Sequence, residues 1–68
     1  MGASALVDLS HVGVLCVDGD PVMRAIIRGA VYQRGCRDFV QAANGEEALN
    51  LCSHRKFDLV ISEYRMHQ

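Results

Sequence analysis

The stretch Val12-Gly-Val-Leu-Cys-Val-Asp18-Gly-Asp20-Pro21 leaves few folds open to this chain. Its apolar run suits a strand buried on both faces, the condition of a central strand in a parallel sheet. The run stops abruptly at an acid, a glycine, a second acid and a proline. Asp20 has the chemistry of a helix N-cap, and Pro21 has the fixed φ of a first helical position. A strand that feeds directly into a helix is the opening of a β-α-β unit. The junction places Asp18 and Asp20 at the carboxyl end of the strand, where open α/β sheets collect ligands and chemistry.

The rest of the chain continues the same alternation. Pro21 to Arg34 reads as a helix, because Met23, Ile26, Ile27, Ala30 and Arg34 recur at helical spacing and Val22 and Val31 widen the apolar stripe. Arg24 and Arg28 lie beside that stripe. Gly35 supplies a C-terminal cap. Cys36 to Asp38 form a turn, and Phe39 to Ala43 a second, short strand. Asn44 can cap a second helix, with Glu47 three residues on as in a capping box. Ala48, Leu51, Cys52 and Arg55 mark one face of that helix, and His54, Arg55 and Lys56 suit its negative end. Phe57 to Ser62 is a third strand, with Glu63 at its carboxyl end. The order β-α-β-α-β implies right-handed crossovers and a parallel sheet. The expected fold class is α/β.

Size and charge narrow the possible roles. The chain has 68 residues, half of them apolar, and a formal net charge of -1. That is one small domain with a marginal core, so a partner subunit is expected on size alone. The scattered Lys and Arg residues do not form the basic face that nucleic acid requires. No transmembrane stretch is present. Residues 1–11 read as a flexible lead-in without the basic and long apolar regions of a signal peptide. Leu6, Val7 and Leu9 within it can dock on the core or form a short extra turn. The expected location is cytoplasmic. Cys16 and Cys52 fall in apolar patterns and are expected to be buried. Cys36 lies in a turn, which leaves room for an exposed thiol or an intermolecular disulfide. None of the three has metal-ligand spacing with His11, His54 or His67.

Asp18, Asp20 and Glu63 converge at the carboxyl ends of neighbouring parallel strands. Clustered carboxylates there can hold Mg²⁺. Their ordinary alternative roles are a helix cap for Asp20 and solvated strand ends for Asp18 and Glu63. Neither GxGxxG nor GxxxxGK[ST] follows the first strand, so dinucleotide and P-loop readings lack a phosphate cradle. No Ser or Cys stands with a His at a nucleophile turn. An enzyme using Asp18 or Glu63 as acid or base would need a pocket and a perturbed carboxylate. The expectation is no catalytic activity.

Val14-Leu-Cys-Val-Asp18-Gly-Asp-Pro21, Met23-Arg24, Ala42-Ala-Asn-Gly-Glu-Glu-Ala-Leu49 and Phe57-Asp-Leu-Val-Ile-Ser-Glu63-Tyr-Arg-Met66 occur in order. Together they resemble the first half of a response-regulator receiver domain of two-component systems. The resemblance implies a doubly wound, flavodoxin-like sheet, of which this chain would supply strand order 2-1-3. In the family a sensor histidine kinase phosphorylates an aspartate after the third strand, and an acidic pair after the first strand holds Mg²⁺. Here the acceptor position is Glu63, and the acidic pair falls on Asp18 and Gly19. With one carboxylate gone, the expectation is no cofactor, Asp18 being the one candidate metal ligand left and Asp20 a partial substitute. His67 stands where the family has a proline.

The resemblance thus implies a truncated receiver-like domain over residues 12–68, phosphorylation-incompetent and acting through protein contacts. Its third strand would be an open edge, and Phe57, Leu59, Val60 and Ile61 are the expected surface of a homodimer. The alternative is a fragment of a larger, phosphorylatable response regulator or hybrid kinase. Such a fragment would dock on a kinase, a response-regulator partner or a complementary half.

Overall fold

In the computed structural model, residues 7–63 are described. They form β1 (Gly13–Val17), α1 (Pro21–Tyr32), β2 (Asp38–Ala42), α2 (Gly45–Cys52) and β3 (Leu59–Ser62). The three strands are parallel in order β2-β1-β3. This is the flavodoxin-like half-fold that the sequence implies. β1 is central, with Leu15 paired to Val40 on one side and to Val60 on the other. Val14, Leu15 and Cys16 are fully buried, as a strand covered on both faces requires. The expectations for Leu6 and for Tyr64 to Gln68 lie outside the described residues.

Both helix starts follow from local chemistry. Asp20 Oδ1 accepts the Val22 N–H at 2.9 Å, with Pro21 at the first helical position. Asn44 Oδ1 accepts the Glu47 N–H at 2.9 Å. Glu47 reaches back beyond the cap, to the Ala43 N–H at 2.7 Å, a capping box displaced by one residue.

The end of α1 decides the fate of Cys36. The Cys36 N–H donates to the Val31 carbonyl and the Gly35 N–H to the Tyr32 carbonyl, the two bonds of a Schellman motif, with Gly35 at φ +88°. This reversal folds Cys36 back into the core beside Val31 and Val14. Cys36 is therefore buried, and the exposed thiol that its place in a turn left open is not formed. Cys52 is the converse: it is exposed, because α2 ends on it and no residue of this eight-residue helix is buried.

The apolar stripe of α1 also divides. Ile27 and Val31 pack towards the sheet, whereas Val22 and Ile26 are 64% and 59% exposed. A helix resting on a sheet at one side covers an arc narrower than this stripe. β3 begins at Leu59, not Phe57 as expected. Phe57 is held beneath the Arg55 guanidinium, 4.1 Å from the ring centre. Asp58 bonds β1 in both directions, its N–H to the Gly13 carbonyl and its Oδ2 from the Gly13 N–H, each at 2.8 Å.

Arg55 completes a brace at this end of the sheet. Its guanidinium donates to both carboxylate oxygens of Asp38, at 3.1 and 2.6 Å, joining the segment after α2 to the start of β2. The pair holds the Asp38 carboxyl below the usual carboxylate range and the Arg55 guanidinium above its own. It passes directly over Gly13. A Cβ there would come within 2.8 Å of Arg55 Nη2 and 2.9 Å of Asp38 Oδ2, so a side chain at this position would displace the ends of the pair.

Candidate functional site

The opposite, carboxyl end of the sheet is acidic. Asp18 follows β1, Asp20 caps α1 and Glu63 follows β3, and these three with Met23 line an open depression of about 480 Å³. The strand order puts them together, since β3 is the direct neighbour of β1. Each residue predicted from the sequence as part of the acidic pocket is thus present at it.

Their bonding differs. The Asp18 N–H extends the sheet ladder to the Ala42 carbonyl at 3.0 Å. One carboxylate oxygen of Asp18, Oδ1, accepts the Asp20 N–H at 2.9 Å and closes the turn. The other, Oδ2, is buried and has no hydrogen-bond partner among the described residues. The Asp20 carboxylate accepts the Val22 N–H through Oδ1, the cap of α1, while it also lines the depression. Gly19 lies between them, exposed, and supplies no side chain.

The donors present do not make up the carboxylate set that the resemblance implies for Mg²⁺. Among the described residues no three His, Cys, Asp or Glu side chains are grouped to hold a metal ion. Asp18 offers one unengaged oxygen, and the neighbouring position that would add a second carboxylate is Gly19.

Arg24 belongs to this site, and the Met23-Arg24 motif gives no sign of its partners. Its Nη1 donates to the Asp18 carbonyl and its Nε to Gln41 Oε1 at 3.0 Å, so one guanidinium ties the turn after β1 to β2. The sequence reading placed it beside the apolar stripe of α1. That position is correct, but its partners come from two other elements. Beneath the turn, burial pushes the Cys16 thiol above its usual value, and the Asp18 carboxylate adds to the effect. Cys16 is therefore a packed, unreactive thiol.

The predicted edge surface is only half exposed. Leu59 and Val60 are 39% and 51% exposed, Ile61 packs against the core, and Phe57 lies under Arg55. Among the described residues no helix is long and apolar enough to cross a membrane.

The family described as "Response regulator receiver domain" matches residues 14–68. A curated relative, "Protein-glutamate methylesterase/protein-glutamine glutaminase 3" of Hahella chejuensis (strain KCTC 2396), is 36% identical over 53 residues. The match covers 78% of this chain and 15% of that protein, so the chain spans about a seventh of the relative's length. No solved structure matches significantly.

Proposed function

The chain belongs to the response regulator receiver domain family, a family of signalling modules, and from that premise we propose that it signals through protein contacts without accepting a phosphoryl group. The observation that carries this reading is the chemistry of the depression. Glu63 occupies the acceptor position, Gly19 replaces a metal-binding carboxylate, and one oxygen of the Asp20 carboxylate is engaged in a helix cap. Phosphoryl transfer depends on positioning and charge stabilisation more than on any special reactivity of the acceptor. A glutamate carries its oxygens one methylene further out than an aspartate. A displacement of about 1 Å can cost about a hundredfold in rate, before the missing metal ligand is counted.

The module acts as a docking element within a phosphorelay, and its partners are a second copy, a sensor kinase or another regulator. It has no enzymatic activity of its own, and the match covers only 15% of the relative whose name carries enzymatic activities. Incubation with a small-molecule phosphodonor and Mg²⁺, followed by intact-mass measurement, should leave the mass unchanged. Addition of one phosphoryl group at Glu63 would refute the reading.

For the 68-residue chain the contact we favour is a homodimer through β3, supported by the exposure of Leu59 and Val60 on an edge strand. Two copies related by a two-fold axis pair β3 antiparallel and make one six-stranded sheet. In the register that sets Leu59 opposite Ser62, Asp58 of one copy faces Glu63 of the other. Like charges opposite one another oppose pairing, so added salt should tighten the dimer. Light scattering at micromolar concentration should give the dimer mass, increasingly so as salt is raised. A monomer at every salt concentration would transfer this edge to a strand from a kinase, another regulator or a longer chain.

A further inference from the structure

We propose that residues 7–12 form a strap that opens and closes as a unit over the corner between α1 and β2, while the sheet stays folded. Leu9 supplies its ties to the corner. The Leu9 N–H donates to the Arg34 carbonyl at 2.8 Å, satisfying one of the orphan carbonyls at the end of α1. Its side chain, with that of Val12, packs on the cluster of Val14, Val31 and Cys36.

The strap's own bonds are local and hold it in the shape that docks. The Val12 N–H donates to the Leu9 carbonyl at 3.1 Å, closing a turn, and Asp8 Oδ1 accepts the Ser10 N–H at 2.9 Å. That second bond draws the Asp8 carboxyl below its usual range. The strap lies against the C-terminal end of α1, where a Cβ at Gly35 would stand in ordinary contact with Asp8 Oδ1 at 3.5 Å and Ser10 Cβ at 3.7 Å. The segment before β1 is therefore packed on the domain, with its internal turn formed and its attachments at Leu9 and Val12.

The two buried thiols report the two kinds of opening. Cys36 lies in the cluster that the strap covers, and its Sγ is 3.5 Å from the Asp38 carbonyl oxygen. Cys16 lies in the central strand at 0% exposure, away from the strap. Opening of the strap exposes Cys36 alone, and unfolding of the sheet exposes both. Labelling of a transiently opened thiol tracks the population of the open form.

The experiment is alkylation with iodoacetamide under native conditions, resolved by peptide mass mapping, on the full 68-residue chain and two variants. In the unmodified chain Cys52 should label first, Cys36 more slowly and Cys16 slowest. Leu9→Ala should accelerate Cys36 labelling by roughly tenfold and leave Cys16 unchanged. Asp8→Ala removes the Ser10 bond from an exposed position, leaves the core intact, and should accelerate Cys36 by roughly twofold to fivefold. Cys36 and Cys16 accelerating together in both variants would overturn the proposal, because the segment would then open only with the whole domain. An unchanged Cys36 rate in Asp8→Ala together with unchanged or unselective labelling in Leu9→Ala would overturn it as well.

Discussion

Gly19→Asp is expected to give this domain a Mg²⁺-dependent stability that the unmodified chain lacks. The backbone at Gly19 is already suitable for a side chain. Among the described residues Gly35 alone has positive φ, and a Cβ at Gly19 would meet its nearest neighbour, the Ala43 carbonyl oxygen, at an ordinary 3.6 Å. The new carboxylate would stand next to Asp18, whose Oδ2 is buried and has no partner among the described residues. Without metal, added negative charge beside Asp18 and Asp20 should lower the melting temperature slightly. With Mg²⁺ at about ten times its dissociation constant, linkage contributes about 1.4 kcal/mol. For a domain of this size that corresponds to a rise of about 5–10 °C. Scanning calorimetry with and without Mg²⁺ reads the difference. Gly19→Asn should show no such rise, and Asp18→Asn in the Gly19→Asp background should abolish it. A Gly19→Asp protein that folds but melts at the same temperature with and without Mg²⁺ would show that more than a missing carboxylate separates this site from the family's.

Leu15→Ala should bring the domain to the edge of unfolding, while Leu49→Ala should be almost silent. Leu15 is fully buried in the central strand and Leu49 is 74% exposed on α2. Truncating a buried leucine costs about 2–5 kcal/mol, through lost transfer free energy and the cavity left behind. A domain of this length has only about 3–10 kcal/mol of stability in total. Truncating the exposed leucine should change stability by no more than about 0.5 kcal/mol. Urea unfolding followed by circular dichroism, at one fixed protein concentration, should lower the midpoint by about 2 M or more for Leu15→Ala. The midpoint of Leu49→Ala should coincide with that of the unmodified chain. Equal midpoints for the two variants would contradict a core built on β1.

These two leucines show how far the sequence could be read. Both stand in apolar patterns, and nothing local separates them. What separates them is coverage: β1 has a strand on either side and a helix crossover above and below, whereas Leu49 sits on a helix that buries none of its residues. The acidic depression was legible because each contributing carboxylate ends or caps an element, and such positions follow from strand order. The partners of Arg24 were not legible, since the Asp18 carbonyl and Gln41 lie on two other elements. Arg55 was read as a helix-end cation and is instead bound to Asp38, brought near by the crossover from β2 to β3.

The sequence by itself determined the order and type of the elements, their caps and the end of the sheet at which the acids gather. Those properties rest on interactions within a few residues: apolar periodicity, an Asp or Asn before a helix, a glycine after one. The tertiary structure alone decided that Cys36 is buried and Cys52 exposed, that half of the α1 stripe faces outward, and that Asp18 keeps one oxygen buried with no partner among the described residues. Burial is a property of what covers a residue, and the cover is supplied by segments distant in the chain. The run from Val12 to Pro21 therefore fixed where a site would be, and the packing around it decided which of its atoms remain available.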